Sequence, residues 1–173
     1  MILTAGCLFV YFRQFQYYGV SASDLFSTNN NYFPNTDDAT HQFYATDGTR
    51  RVYNSKEQTH ILWVAQGGWY LMIVCGQAAH IWVCRTATMS IFEHGIFTNR
   101  VTNYGVVIAL LLGSFITYCP GLQEIVTSKD PWSLTIFESC MWTSWALWSW
   151  AEGRKYLTRK LPSDHWFNRI FAW

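Results

Sequence analysis

The stretch Ile61–Cys84, ILWVAQGGWYLMIVCGQAAHIWVC, runs for 24 residues without an Asp, Glu, Lys or Arg. A helix rises 1.5 Å per residue, so about 20 residues cross the hydrocarbon core of a bilayer, which is about 30 Å thick. A helix on the surface of a soluble bundle would instead carry a charged stripe at 3.6-residue spacing. Because this stretch has no such stripe, it predicts a membrane-spanning helix.

Three other segments are also long, apolar and nearly free of charged residues. Val101–Cys119 has no charge, Trp132–Ala151 has only Glu138, and Met1–Tyr18 is interrupted only by Arg13. The four segments predict an all-α integral membrane bundle of four transmembrane helices. The predicted spans cover residues 1–18, 61–84, 101–119 and 132–151, the outer loop covers 21–60, and the tail covers 154–173.

The composition agrees with membrane insertion. Hydrophobic residues make up 50% of the 173 residues and charged residues only 13%, whereas about a quarter of a soluble domain is charged. The ten tryptophans suit membrane interfaces. A net charge of +1 provides no electrostatic footprint for nucleic acid. The cysteines lie in or beside apolar segments and are predicted to be free thiols; they are Cys7, Cys75, Cys84, Cys119 and Cys140.

The Lys and Arg residues divide the predicted loops into two sides. Arg85 and Arg100 flank the connection between the second and third spans, and a basic cluster follows the fourth span. The positive-inside rule places both regions in the cytoplasm, so the C-terminus is predicted to be cytoplasmic and the loop 21–60 to face outside. The basic cluster consists of Arg154, Lys155, Arg159, Lys160 and Arg169.

Local signals predict where two of the spans end or begin. Pro120-Gly121 is expected to end the third span, because a proline and a glycine commonly follow a helix. Asp130-Pro131 is expected to supply the N-cap and the first helical residue of the fourth span.

Several short motifs occur in a definite order along the chain. They are Cys84-Arg85-Thr86, Ser90-Ile91-Phe92, Tyr118-Cys119-Pro120-Gly121 and Arg154-Lys155. Their order and spacing resemble the C-terminal membrane region, the seventh to tenth helices, of the α-subunit of sodium/potassium- or proton/potassium-type P-type ATPases. In that family the eighth helix runs into C-K/R-T and S-V/I-F, the ninth ends in S/T-Y-C-P-G, and R-K follows the tenth. Met1 would then match an internal methionine of the seventh helix, which implies that the first of the four transmembrane helices is truncated and that the chain is a fragment or a truncated gene model.

The resemblance implies a part of a pump. The sequence has no D-K-T-G phosphorylation motif, and phosphoryl transfer needs an aspartyl nucleophile and a magnesium site. ATP and magnesium would bind the missing domains, so we expect no cofactor in this chain and no ATP hydrolysis by it alone. The expected role is to support the ion-carrying helices. The implied partners are the lipid bilayer, the remaining pump helices and a β-subunit, for which Glu57-Gln58 resembles the stretch after the contact, and the implied location is the plasma membrane.

Two family positions bear on ion binding. The family's third sodium site draws on a Gln and an Asp three residues apart in the eighth helix and on a Glu in the ninth. Gln77 matches the Gln, His80 stands in place of the Asp, and Ile108-Ala109 replaces the paired Glu residues. Because sodium prefers hard anionic oxygen ligands, the resemblance implies a weakened sodium site and hints at proton or potassium handling.

His80 has two interpretations beside this one. As an ionisable group at membrane depth it would be a proton relay or a built-in positive charge. The structural alternative is a neutral histidine that hydrogen-bonds a neighbouring helix. His80 and Cys84 could also supply two ligands to a metal, although a third ligand is missing from the pattern.

Three other features have structural as well as functional interpretations. Arg13 and Glu138 either pair with other helices or extend toward the membrane surface. Ser90 lacks the paired arginines of the family's basophilic kinase site, so regulation there is not expected. The aromatic, basic tail is either an interfacial helix on anionic lipid headgroups or, as the resemblance implies, a terminus tucked between helices.

Two other classes of protein remain as alternatives. One is a stand-alone four-span membrane protein that binds or regulates a partner. The other is a soluble, aromatic-rich binding domain, which would be extracted without detergent.

Overall fold

The computed structural model describes residues 1–25, 40–44, 50–86, 89–95, 97–162 and 164–171. This part of the chain is mainly helical. The helices are α1 (Ile2–Tyr17), α2 (Ser55–Cys84), α3 (Ile91–His94), α4 (Arg100–Tyr118), α5 (Pro120–Val126), α6 (Thr135–Trp142), α7 (Trp148–Lys160) and α8 (Trp166–Phe171). A 3-10 turn covers Ala22–Leu25, and a π-helical segment, Thr143–Leu147, joins α6 directly to α7.

The longest helix, α2, is the centre of the bundle. Its 30 residues rise about 45 Å, and it contacts α1, α4, α6 and the π-helical segment. The Glu57 carboxylate helps to begin this helix, because its Oε2 accepts a hydrogen bond from the backbone N–H of Asn54 over 2.9 Å. The helix therefore starts before the predicted span and ends with it at Cys84.

A small antiparallel hairpin adds to the helical fold. Strands β1 (Thr40–Tyr44) and β2 (Arg50–Asn54) pair from Thr40 opposite Asn54 to Tyr44 opposite Arg50. Both strands lie in the segment predicted as the outer loop. The mostly helical fold is as predicted, and the hairpin is an element that the all-α prediction lacked.

Two of the described helices are long and apolar enough to cross a membrane. They cover Lys56–Cys84 and Arg100–Tyr118. The helix α1 has only 16 residues, and the fourth predicted span is divided between α6, the π-helical segment and α7. Length and composition thus support two spanning helices directly, and four spans remain a proposal.

Small residues let α1 approach both α2 and α6 closely. A side chain at Gly6 would overlap Trp142 and come within 2.5 Å of the Met72 methyl carbon, and one at Gly76 would overlap Leu3. Close backbone approach at small residues is how helices associate within a bilayer, where burial of apolar surface provides no drive. The resulting α1–α2 contact is the most extensive one between helices in the described fold.

The helix α4 is covered on one side only. Half of the apolar 18-residue stretch of α2 is buried inside the structure, whereas only 17% of the corresponding stretch of α4 is buried. On its covered side Gly113 lies against Val74 of α2. The exposed apolar residues of α4 are Val101, Tyr104, Val107, Ile108, Leu111, Leu112 and Phe115. An apolar surface of this extent marks a contact with lipid or with another chain segment.

Candidate functional site

The two predicted ion-site residues lie on one exposed side of α2. Gln77 and His80 are three residues apart, so they are neighbours on the helix surface, and both side chains are exposed. On α4, Ile108 and Ala109 are exposed as well. Gln77 forms no hydrogen bond to any residue that the structure describes. The residues that the family resemblance singles out are thus directed away from the described packing.

His80 is held by its own helix. Its Nε2 lies 3.2 Å from Cys84 Sγ, one turn further along α2, and both residues are exposed. The structural interpretation expected a partner on a neighbouring helix, whereas the contact found is within α2. Among the described residues, no three His, Cys, Asp or Glu residues lie close enough to hold a metal, so the His80–Cys84 pair has no third ligand there.

A buried polar cluster joins three elements at the Arg85–Arg100 end of the bundle. The Lys155 side chain of α7 is fully buried, and its Nζ donates to Thr86 Oγ1 over 2.7 Å and lies 3.1 Å from Glu152 Oε1. The Ser90 hydroxyl donates to Glu152 Oε2 over 2.6 Å, and the Ile91 N–H donates to Glu152 Oε1 over 3.3 Å. We call these residues the Glu152–Lys155 cluster. It links the end of α2 to the start of α3 and to α7.

The cluster compensates the buried positive charge of Lys155. A buried ammonium group is costly unless it is paired and hydrogen-bonded, and Lys155 has both kinds of partner. Glu152 lies just beyond the predicted fourth span. Burial opposes its ionisation, but hydrogen bonds from Ser90, Ile91 and Lys155 outweigh burial and hold its pKa below the ordinary value.

The cluster brings together residues of three of the motifs. Thr86 and Ser90 belong to the two motifs at and after the end of α2, and Lys155 belongs to the Arg154-Lys155 motif, which follows the predicted fourth span. Ser90 also caps α3, because its Oγ accepts from the Phe92 N–H over 3.3 Å. Sequence reasoning placed Lys155 in the basic cluster after the fourth predicted span and did not single out Glu152. The only sequence signal was the motif order, since burial of a lysine cannot be read from spacing.

Cys84 and Arg85, the other two residues of the Cys84-Arg85-Thr86 motif, do not belong to the Glu152–Lys155 cluster. Cys84 is exposed beside His80, and Arg85 follows the last residue of α2 with its N–H directed to the Trp82 carbonyl at 3.4 Å. Arg85 and Thr86 also lie close to Trp82 and His94.

The Tyr118–Gly121 motif joins two helices. Tyr118 is the last residue of α4, the Cys119 N–H bonds to the Phe115 carbonyl over 2.9 Å, and Pro120 is the first residue of α5. The proline ends one helix and begins the next, which suits its missing N–H and restricted φ. A Cβ added at Gly121 would meet no atom of another residue within 4 Å, so the described packing does not require a glycine there.

The predicted role of Asp130-Pro131 is wrong. The helix α6 begins at Thr135, with Leu134 at its N-cap. Asp130 Oδ1 instead accepts a hydrogen bond from Gln123 Nε2, which also donates to the Thr117 carbonyl over 2.8 Å. The aspartate therefore closes the connection after α4 and does not cap the following helix.

A second polar network joins α1 to α6. Arg13 Nε lies 3.2 Å from Glu138 Oε1, so the two charges of these apolar segments pair with each other. The Tyr17 hydroxyl donates to the same oxygen over 2.8 Å. Gln14, which sequence reasoning did not single out, is fully buried, donates to Thr135 Oγ1 over 2.7 Å and accepts from the Trp132 N–H over 3.0 Å.

Comparisons with known proteins agree with the motif order. A family model described as "Cation transporting ATPase, C-terminus" matches residues 1–157. The chain is 22% identical over 170 residues to "Potassium-transporting ATPase alpha chain 2" of Oryctolagus cuniculus, an alignment that covers 96% of this chain and 15% of that protein.

Two further relatives show the same pattern. The chain is 26% identical over 117 residues to "Sodium/potassium-transporting ATPase subunit alpha" of Drosophila melanogaster, covering 68% of this chain and 11% of that protein. It is 28% identical over 92 residues to "Calcium-transporting ATPase 1" of Yarrowia lipolytica, covering 50% of this chain and 9% of that protein. The chain therefore spans between 9% and 15% of the length of these relatives.

Proposed function

This chain belongs to the family of cation-transporting ATPase C-terminal regions, and on that basis we propose that it supports the ion-carrying helices of a P-type cation pump. Under this proposal it forms four spans in the plasma membrane with a cytoplasmic C-terminus. ATP and magnesium bind domains outside this chain, which does not hydrolyse ATP alone. The match over residues 1–157 favours a pump over the stand-alone four-span alternative.

The observation that carries the proposal is the polar side of α2. Gln77, His80 and Cys84 are exposed on a helix that otherwise has the length and apolarity of a membrane span. Polar groups at membrane depth face a protein interior or a water-filled cavity, because exposure to lipid is costly. The side of α2 that carries these residues is covered neither by α1, which packs at Gly76 and Met72, nor by α4. We therefore assign it to the ion-carrying helices.

The altered ion-site positions extend this proposal to selectivity. With His80 in place of an acid on α2 and Ile108-Ala109 in place of the paired acids on α4, the third sodium position lacks anionic oxygens. We infer that a pump built on this chain favours protons or potassium over sodium. The test replaces His80 by Asp and Ile108-Ala109 by Glu-Glu in the intact pump.

A rise in apparent sodium affinity is the expected result of that substitution. His94→Asp is the matched control, because His94 is also exposed but lies on α3, away from the ion-site positions. If apparent sodium affinity is the same in the triple variant and in the unaltered pump, the selectivity proposal is wrong.

A β-subunit contact is a further part of the proposal. Glu57 and Gln58 themselves have structural roles, since Glu57 starts α2 and the buried Gln58 donates to the Tyr53 carbonyl over 2.9 Å. A β-subunit would therefore contact the predicted outer loop around these residues. Co-purification of a β-subunit that survives Gln58→Ala but is lost on replacing the loop would support this placement.

Topology mapping tests the four-span arrangement. The sequence contains no Asn-x-Ser/Thr sequon, so a single sequon can be introduced at any loop without background. We expect glycosylation of a sequon placed within residues 26–39 and none of a sequon added after Trp173. Glycosylation of the C-terminal sequon would overturn the proposed orientation, and extraction of the chain without detergent would overturn membrane insertion.

A further inference from the structure

The short helix α8 is fixed against α7 by its inner side. Asn168 Nδ2 donates to the Leu161 and Pro162 carbonyls, each over 3.0 Å, and Arg154 Nη1 donates to the Phe171 carbonyl over 2.8 Å. Phe167 is buried, with its ring 4.8 Å from that of Phe171. These contacts determine which side of α8 faces outward.

The outward side of α8 combines apolar and basic groups. Trp166, Arg169 and Ile170 are three and four residues apart, so they share one face of the helix. Trp166 is 62% exposed, Ile170 is 57% exposed, and Arg169 is exposed as well. A tryptophan and an isoleucine beside an arginine form the kind of surface that enters the headgroup region of a bilayer.

The depth of α8 also matches a membrane interface. The Phe171 ring lies 6.0 Å from that of Trp150, which is one residue before the end of the predicted fourth span. This contact places the last residue of α8 beside the end of that span. The helix therefore lies at the boundary between hydrocarbon and headgroups if the fourth span crosses the bilayer.

Charge points to the kind of headgroup. Beyond the part of the chain that the family model matches, the basic residues are Arg159, Lys160 and Arg169, and Asp164 is the only acid. Arg159 lies 3.2 Å from Glu93, whereas neither Lys160 nor Arg169 pairs with a carboxylate of the described residues. Lys160 Nζ also lies 4.8 Å from the centroid of the Tyr156 ring. Neither cation is held by an ion pair to a described residue, so both can contact phosphate or carboxylate groups of a lipid.

We propose that the outward face of α8, formed by Trp166, Arg169 and Ile170, binds anionic phospholipid headgroups in the adjacent leaflet, with Lys160 as a second basic contact. The proposal rests on the membrane topology given under the proposed function. The apolar side chains insert between lipids, and the cations select anionic headgroups over zwitterionic ones. It corresponds to the first of the two interpretations of the tail, an interfacial helix on anionic lipid headgroups.

Amide exchange in lipid nanodiscs tests the proposal. The full chain is reconstituted in phosphatidylcholine alone and in phosphatidylcholine mixed with phosphatidylserine, and hydrogen exchange is measured for residues 166–171. We expect phosphatidylserine to slow exchange, by about fivefold for each cation that contacts the surface. Arg169→Gln combined with Lys160→Gln should remove most of this slowing. Both residues are exposed, so the substitutions leave the buried packing unchanged and remove only the surface contact of Lys160 with the Tyr156 ring.

Arg100→Gln is the matched control. Arg100 is an exposed cation at the same end of the bundle but lies on α4, so its replacement should leave the effect of phosphatidylserine on residues 166–171 unchanged. Equal exchange of the unaltered chain in the two lipid compositions would overturn the inference. Equal loss in Arg100→Gln would overturn it as well, since the effect would then be general attraction. Failure of the chain to enter nanodiscs would instead overturn the proposed function.

Discussion

Lys155 and Thr86 are 69 residues apart in the sequence, yet Lys155 Nζ donates to Thr86 Oγ1 over 2.7 Å in a buried contact. Glu152, one turn earlier on α7, accepts from both Lys155 and Ser90. A short motif after α2 and a short motif within α7 therefore form one interaction. This interaction closes one end of the bundle.

Replacing Lys155 by Met should destabilise the protein strongly. The substitution keeps the volume of the side chain but leaves Glu152 without its cation, and breaking a buried pair in this way costs roughly 3 kcal/mol. Thermal unfolding of the purified chain in detergent or nanodiscs measures the effect. Lys160→Met is the matched control, since Lys160 is exposed and should change stability little. Equal melting temperatures for the two variants would contradict the assigned role.

Stability should fall in acid in a way that depends on Glu152. Its pKa is lower in the folded chain than its ordinary value of 4.5, so the folded state binds fewer protons than the unfolded state as the carboxylate begins to titrate. The contribution is therefore present above that ordinary value and is lost as the pH falls through the lowered pKa. Melting temperatures measured across this range should fall less steeply in Glu152→Gln. Parallel curves would refute this linkage.

Ser90→Ala should loosen the start of α3. The hydroxyl both caps the helix and donates to Glu152, and each interaction contributes about 1 kcal/mol. Amide exchange of residues 91–94 should accelerate along with a lower melting temperature. Ser133→Ala, at an exposed position in the connection before α6, serves as the control. Unchanged exchange in Ser90→Ala would show that the cap is dispensable.

Gln14→Leu should separate the ends of α1 and α6. The amide is fully buried, and its removal leaves the Trp132 N–H and the Thr135 hydroxyl without partners, at a cost of about 1–3 kcal/mol for each group. Gln16→Leu on the exposed side of the same helix should cost much less. A cross-link between cysteines introduced at the ends of the two helices would form more slowly only in the first variant, and equal rates would argue against this network.

A valine at Gly76 should clash with Leu3 and push α1 away from α2. Its side chain would overlap the Cδ1 methyl group of Leu3, so either the Leu3 side chain or α1 itself has to move. Leu3→Ala in the same chain should restore much of the lost thermal stability, because the overlapping atoms are removed. A double variant no more stable than Gly76→Val would show that the clash does not cause the loss.

Much of the fold could be predicted because its signals are local. The uncharged length of Ile61–Cys84 is enough to indicate a spanning helix, and the structure ends α2 at the predicted residue. The start of the helix in the fourth predicted span could not be predicted from local signals. Asp130 satisfied the local pattern of an N-cap, but Gln123 competes for its carboxylate and the helix begins later.

The candidate site could likewise be predicted only in part. Family order identified Gln77, His80 and the motif residues Thr86, Ser90 and Lys155, but it gave no indication of which were exposed and which were buried. His80 proved to contact Cys84 of its own helix, and Lys155 proved to be an interior residue. Burial depends on which segments pack together, and that information is absent from spacing.

The order of residues alone was enough to identify a membrane-type helical protein of the cation-transporting ATPase family, because uncharged runs and motif order are properties of the linear chain. The partners of Lys155 and Gln14 emerged from packing, since their contacts join residues 69 and 121 positions apart. Packing also established which side of α8 faces outward, because Asn168 and Arg154 fix that helix on α7. The physical reason is that a polar group acquires its role from what surrounds it after folding, and folding brings together groups that are distant in sequence.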